Sequence, residues 1–384
     1  MTSNNKFLIL ELCKTIGLDI QTLINVKDDK FYDIIVSKGA LGFGETYMDN
    51  MWESKIPLDI LCEKIGKLKV KDMLYQSWYW KIRVGISLLR NWIWSPYTKL
   101  GSKKMAETHY DIGNELYKRM LGKYLVYSCA YFKDGNEDLE DAQVEKMKLC
   151  ADKLYLKPGM KVLEIGFGWG ELSYYLAHNC GVNIDAVTIS TEQYTYALEH
   201  KSHPNINYML KDYRDLCDGR KYDAIVSVGM FEHVGQHNYS SFFEKCSKML
   251  KEDGLFLLHT IGQNKSQSVG NEWISKYIFP NSCLPSIGQI TEGCEGKFIV
   301  EDVHNFGVHY AKTLRLWYGN FVREWDAINK ERIENGKCAL DEKFYRMWEF
   351  YLLSCAGYFD ARECQLYQVV LSLGRDGGYK RPNV

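Results

Sequence analysis

After an apolar run at 161–165 the chain reads Glu164-Ile165-Gly166-Phe167-Gly168-Trp169-Gly170, and a helical pattern follows. Glycines let a backbone turn sharply and approach a bound group closely. A strand before such a loop and a helix after it is the setting a nucleotide-type cofactor site requires. Here the rhythm is Gly-x-Gly-x-Gly, whereas the dinucleotide fingerprint is Gly-x-Gly-x-x-Gly, so an NAD site is disfavoured. Further on, Glu232 and His233 follow Val228-Gly229-Met230-Phe231, and His259 ends an apolar run. Open α/β sheets bind ligands at the carboxyl ends of their strands. Glu232 and His259, brought together there, would form an acid–base or anion-holding pair. His233 suits a structural or helix-capping role.

The elements that must position these residues alternate. Strands are expected at 161–165, 186–189, 224–228 and 254–260, with helical stretches between them, which predicts a doubly wound α/β sheet. Two shorter strands are expected near 298–300 and 368–373, with a helical cap between 313 and 361. Where many nucleotide sites place an acid on the ribose, the second strand is followed by Thr188-Ile189-Ser190-Thr191-Glu192-Gln193, so polar side chains or backbone groups must serve. Asp212 and Tyr213 are placed to hold the adenine end.

The N-terminal part reads differently. Leu8, Leu12, Ile16 and Leu18 recur at near-helical spacing, and Gly39 to Gly44 read as a glycine-rich turn. From 73 to 94 an amphipathic, basic-aromatic pattern carries Tyr75, Trp78, Trp80 and Trp92 among Lys81, Arg83 and Arg90. It suits either packing on a neighbouring domain or lying on an anionic membrane surface. The polar, basic stretch 95–104 reads as a linker. Three parts are therefore expected: an N-terminal domain at 1–94, the linker, and a catalytic domain at 105–384.

Composition narrows the function. Lys and Arg number 48 against 49 Asp and Glu, a net charge of −1, so no basic field favours a nucleic-acid partner. The 12 cysteines are scattered without a Cys-x-x-Cys pair or a metal-ligand rhythm with the histidines, and they read as reduced thiols with no metal. No apolar run approaches the ~20 residues of a membrane span. A cytoplasmic protein, soluble or peripheral, is expected. Aromatic residues reach 14%, which fits a ring-rich core or a site for apolar ligands and cations.

The glycine loop resembles the S-adenosylmethionine loop of class I methyltransferases, which implies a Rossmann-like sheet. A closer resemblance rests on His109-Tyr110-Asp111-Ile112-Gly113-Asn114, Tyr127-Ser128-Cys129-Ala130-Tyr131, Leu156-Lys157-Pro158-Gly159-Met160, Gly229-Met230-Phe231-Glu232-His233-Val234-Gly235, Leu258-His259-Thr260-Ile261-Gly262, Lys276-Tyr277-Ile278-Phe279-Pro280-Asn281 and Ser354-Cys355-Ala356-Gly357. In that order they resemble the cyclopropane-fatty-acyl-phospholipid synthases of bacteria, from about residue 30 to the C-terminus.

The resemblance implies transfer of a methylene from S-adenosylmethionine to the cis double bond of an unsaturated phospholipid acyl chain. It implies a carbocation deprotonated by bound bicarbonate, with Cys129, Glu232, His259, Tyr318 and the backbone of Ile261 as its holders. Cys355 matches a cysteine sometimes proposed as catalytic, although the chemistry offers no role for a thiolate nucleophile. Cofactor contacts would be Tyr127, Ser128, Gly166, Gly168, Trp169, Gly170, Thr188, Ser190, Gln193, Asp212 and Tyr213. A lipid methyltransferase giving a methyl-branched or methylated unsaturated product is the alternative. Also implied are a homodimer and peripheral docking on the anionic inner face of the membrane, with the 78–94 stripe and Lys99, Lys103 and Lys104 as candidate contacts. Phe167 departs from the family's usual Cys.

Overall fold

The computed structural model describes residues 2–68, 113–219, 222–280 and 282–382. The basic-aromatic pattern of 73–94, the linker 95–104 with its three lysines, and the start of the His109 phrase lie outside the described residues.

The chain forms two compact units. One comprises Met1–Ser95, Val269–Asn281 and Leu314–Cys364; the other comprises Pro96–Ser268, Ser282–Thr313 and Gln365–Val384. The expected parts follow the chain in order, whereas the compact units do not.

The first unit holds a small antiparallel pair, β1 (Ile24–Val26) and β2 (Trp52–Ser54), surrounded by helices. Residues 40–44, expected in a turn, begin the helix Ala40–Met48. Gly39 alone makes the turn, at φ 59°. Gly42 and Gly44 are there for close packing. A Cβ on Gly42 would lie 2.7 Å from the Ile34 carbonyl oxygen, and one on Gly44 would enter the Trp273 indole. Trp52 is fully buried against Phe31, Phe43 and Tyr47, with the Phe43 ring stacked 4.5 Å away.

The expected helical cap is two helices, Val308–Glu334 and Glu342–Asp360. Most of it joins the N-terminal residues for a physical reason. Phe350 packs on Phe43, Tyr47 and Trp273, and Gly357 lets Glu342–Asp360 meet Leu58–Lys67 backbone to backbone. Arg315 ties Asp59 to Asp360 beside that contact. Among the described residues no helix is long and apolar enough to cross a membrane.

The second unit is built on a seven-stranded sheet. Its strands are β3 (Lys161–Ile165), β4 (Asn183–Thr188), β5 (Ile206–Leu210), β6 (Tyr222–Val228), β7 (Leu250–Gln263), β8 (Ile299–Asn305) and β9 (Cys364–Ser372), in the order β5-β4-β3-β6-β7-β9-β8. Neighbours from β5 through β7 are parallel, and β8 is antiparallel to β9. The expected strands are all present, most of them longer than the apolar runs suggested. Near-continuous apolar strands require cover on both faces, and two buried clusters supply it. One gathers Phe231, Phe242, Phe243 and Phe256; the other gathers Met147, Leu172, Leu176 and Val226. From β3 the chain runs outward to β4 and β5, then returns to the other side of β3 as β6. That reversal is the point where such sheets bind ligands, and it faces the glycine loop and Glu232.

Candidate active site

β3 ends at Ile165 and the glycine loop follows at once. Gly166, Gly168 and Gly170 all have positive φ, at 84°, 56° and 88°, a conformation that side chains other than glycine adopt at a cost. Gly166 packs on Met230, and Gly170 on Tyr208 and Ala197, whereas Gly168 faces open space. Gly170 caps the helix Glu171–Cys180, so the loop delivers that helix N-terminus to the site. Phe167 is buried, with its ring 5.0 Å from that of Tyr208, and the departure from Cys is absorbed in the core. Trp169 donates its indole N–H to Asn114 at 3.1 Å and packs on Tyr117, which packs in turn on Tyr127. These rings gather Tyr127 to the loop. Glu164, just before the first glycine, is buried and accepts the Ser173 hydroxyl. Burial pushes its carboxyl up to about 7.

The polar residues after β4 form a small corner. Ser190 caps the helix Thr191–His200 by accepting the Gln193 N–H, and Thr188 donates its hydroxyl to the Gln193 side chain at 3.1 Å. Asp212 faces Arg214, whose Nε and Nη2 donate to its two carboxyl oxygens, while the Tyr213 ring packs against Phe242 at 5.3 Å.

The deepest groups lie where β6 and β7 end. Val228 pairs with His259 in register, and Gly229 donates its N–H to the His259 carbonyl. The chain then turns, and Glu232 points its carboxyl back at β7. Its Oε1 accepts the Ile261 N–H at 2.7 Å, while Oε2 is buried without a partner among the described residues. Burial pushes this carboxyl up to about 7.

His259 is 1% exposed. Its Nδ1 faces the Gln368 amide nitrogen at 3.1 Å, and Nε2 has no partner among the described residues. Burial, reinforced by Lys146 and Lys153, holds its pKa well below the ordinary value, so the ring is neutral. With Nδ1 accepting, Nε2 carries the proton. His233 sits in a short helical turn, with its pKa lowered to about 4 by burial, consistent with the structural role expected of it.

The Tyr127–Cys129 segment crosses the same unit. Cys129 is fully buried, its thiol donates to the Ala130 carbonyl, and burial raises its pKa. The expected site residues thus gather in this unit, except Tyr318 and Cys355, which belong to the other. There the Tyr318 hydroxyl donates to Glu349 at 2.6 Å. Burial raises the Cys355 pKa, which favours the protonated thiol. The Ile261 N–H is already given to Glu232, so it acts by aiming that carboxyl.

Sequence reasoning missed four residues here: Gln143 and Lys146, which hold Ser128; Gln368, which fixes the His259 ring; and Glu349, which accepts the Tyr318 hydroxyl. For the first pair a signal existed. Gln143, Lys146, Cys150 and Lys153 recur at helical spacing along Leu139–Lys153, a polar stripe that proves to be buried.

Residues 99–369 match the model of the mycolic acid cyclopropane synthetase family. The chain belongs to this family. It is 44% identical over 361 residues to the cyclopropane-fatty-acyl-phospholipid synthase of Escherichia coli K12, covering 93% of this chain and 89% of that one. Among solved structures it resembles the mycolic acid cyclopropane synthase CmaA1 complexed with SAH and CTAB, at 28% identity and a TM-score of 0.63, over 70% of this chain and 97% of that one. Coclaurine N-methyltransferase, at 21% identity, has a TM-score of 0.64 over 87% of this chain and 99% of its own, and shares the fold. The α/β architecture is therefore that of the S-adenosylmethionine-dependent methyltransferases, as the glycine loop suggested.

Proposed function

We propose that this protein transfers a methylene group from S-adenosylmethionine to the cis double bond of an unsaturated phospholipid acyl chain, closing a cyclopropane ring. The observation that carries the reading is two buried atoms without partners among the described residues, Glu232 Oε2 and His259 Nε2, where β6 and β7 end. Buried polar atoms are rarely left without a partner. A carboxyl near neutrality and an imidazole N–H suit a small oxyanion able to accept a proton. The likeness to the phospholipid synthase supports the substrate class.

Both groups implied here fit the residues present. The glycine loop leaves open space at Gly168, and S-adenosylmethionine bound there would supply an electrophilic methyl group. Tyr127, Ser128, Trp169, Thr188, Ser190, Gln193, Asp212 and Tyr213 are its proposed contacts. Bicarbonate would be held by Glu232 and His259, with Tyr318 and the Cys129 backbone as further contacts, and would supply the base.

An alkene has no proton to surrender before it attacks, so a base beside it cannot activate it. The protein must instead hold the reacting atoms dry and take the proton that leaves the transferred methyl group. Fixed donors in a water-excluded site are effective because they need no reorganisation. His259 meets that condition, its ring locked by Gln368, and Glu232 is locked by Ile261. The rings of Tyr117, Tyr127 and Trp169 are faces that attract positive charge.

The protein would act on lipid in the bilayer, docking peripherally on the anionic inner leaflet as a dimer, with Lys99, Lys103, Lys104 and the 78–94 pattern as contacts. Mass spectrometry of monounsaturated phospholipid vesicles incubated with protein and S-adenosylmethionine tests the reading. A gain of CH2 with the double bond replaced by a ring is expected. A branched or still-unsaturated product would change the outcome of the cation, and no gain would overturn the proposal.

A further inference from the structure

Lys146 is a buried cation that the proposed reaction does not use. It lies in the helix Leu139–Lys153 and is 1% exposed. Its Nζ donates to the Ser128 hydroxyl oxygen at 2.9 Å, and no carboxylate among the described residues lies within ion-pair distance of it. Gln143, one turn earlier, donates its side-chain amide to the Ser128 carbonyl at 2.9 Å. One helix therefore grips both the backbone and the side chain of Ser128.

The place of this grip is informative. Ser128 follows Tyr127, which the ring stack through Tyr117 ties to Trp169 in the glycine loop. Glu164 and Glu171, on either side of that loop, are close enough to Lys146 to act on it electrostatically. Both have nearer partners: Glu164 takes the Ser173 hydroxyl, and Glu171 is paired with Lys201. An ammonium carries three N–H donors, and a serine hydroxyl oxygen occupies one. A buried charge is tolerated when it is paired; burial lowers the Lys146 pKa, and among the described residues no carboxylate stands beside it, which leaves room for an anionic group at this place. Because Lys146 donates to the Ser128 oxygen, the hydroxyl proton of Ser128 is turned away from the helix, ready to be donated to the same visitor.

We propose that Lys146 and Ser128 form the carboxylate-binding corner of the cofactor site: Lys146 supplies the counter-charge and aims the Ser128 hydroxyl at the amino-acid carboxylate of S-adenosylmethionine. This rests on the cofactor reading above. The carboxylate is the one anionic group of that molecule, and it lies at the end away from the base.

The test is calorimetric titration of the full-length protein with S-adenosylhomocysteine and with its decarboxylated analogue, comparing wild type with Lys146→Met, Lys146→Arg and Ser128→Ala. For wild type, the ligand with the carboxylate should bind more tightly. In Lys146→Met that advantage should shrink by about tenfold or more, the scale of a charge-assisted hydrogen bond, while affinity for the decarboxylated analogue stays near wild type. Lys146→Arg, which keeps the charge, should retain part of the advantage. Ser128→Ala should reproduce the selective loss, and it tests the corner independently if Lys146→Met does not fold. Equal losses for both ligands would make Lys146 a structural residue and overturn the proposal, as would an unchanged advantage. Failure of the wild type to bind S-adenosylhomocysteine would overturn the cofactor reading itself, which separates the two failures.

Discussion

Ile261 donates its backbone N–H to Oε1 of Glu232 at 2.7 Å, and Oε2 of the same carboxyl is left buried with no partner among the described residues. One oxygen therefore fixes the side chain while the other stays available to a bound group. Glu232→Gln keeps an oxygen for Ile261 and removes the titrating carboxyl. Turnover should fall by about a hundredfold or more, the usual scale for a lost acid–base group, with affinity for S-adenosylhomocysteine near wild type. Steady-state rates and calorimetric titration measure the two separately, and equal losses in both would make Glu232 a cofactor contact.

The same carboxyl predicts a dependence of stability on pH. Burial raises both Glu232 and Glu164 to about 7 in the folded protein, above the ordinary 4.5. Between those values the folded state keeps protons that the unfolded chain gives up, so stability is highest at the acid end of the window. It should decline as pH rises toward 7 and level off above it, by roughly 3 kcal/mol for each carboxyl. Urea unfolding at a series of pH values should show this slope, reduced in Glu232→Gln.

Much of this site is legible in the sequence because its carriers are contiguous. The loop from Glu164 to Gly170 sits between a strand and a helix in chain order, and Glu232 and His259 each follow a recognisable apolar run. Lys146 is not legible in that way. Locally Glu145-Lys146-Met147-Lys148 is a charged stretch, and the spacing of Lys146 with Gln143, Cys150 and Lys153 marks one helix face without saying that this face is the buried one. Ile261 acts through a backbone N–H that its residue type does not reveal. The N-terminal glycines mislead for a related reason: glycine signals a turn locally, but Gly42 and Gly44 answer to Ile34 and to the distant Trp273. Likewise, the grouping of residues 314–364 with the N-terminal helices depends on contacts across hundreds of positions.

Glu349 accepts the hydroxyls of Tyr47 and Tyr318, each at 2.6 Å. A glutamine there offers one acceptor oxygen and a donor, so one phenol loses the acceptor for its hydroxyl proton. Glu349→Gln should cost about 1–3 kcal/mol of stability and slow turnover if Tyr318 acts as proposed. Tyr47→Phe should remove part of the stability while leaving Tyr318 bound to Glu349. Thermal melts and product formation by both variants would separate the two contributions, and equal activity loss in both would deny Tyr318 a distinct role.

Reversing the charge at Lys99, Lys103 and Lys104 tests the docking reading. Each lysine near an anionic bilayer contributes about 1 kcal/mol, and the attraction fades with salt. The triple Glu variant should sediment less with anionic vesicles at low salt, and the difference from wild type should narrow as salt is added. Sedimentation equal to wild type at every salt concentration would remove these lysines from the membrane surface.

Gly168 and Gly170 differ in what surrounds them, and alanine should separate their roles. Both have positive φ, so each substitution carries backbone strain of about 1–2 kcal/mol. At Gly170 a Cβ would also lie 2.9 Å from the Tyr208 hydroxyl and 3.0 Å from the Ala197 Cβ, and overpacking adds about 1–3 kcal/mol. Gly170→Ala should therefore lower the melting temperature markedly. A Cβ at Gly168 meets nothing within 4 Å, so Gly168→Ala should lose only the strain part, melt between wild type and Gly170→Ala, and lose affinity for S-adenosylhomocysteine. Melting curves with and without that ligand decide the matter. If Gly168→Ala gains as much thermal protection from the ligand as wild type does, the open space at Gly168 is not where the cofactor lies.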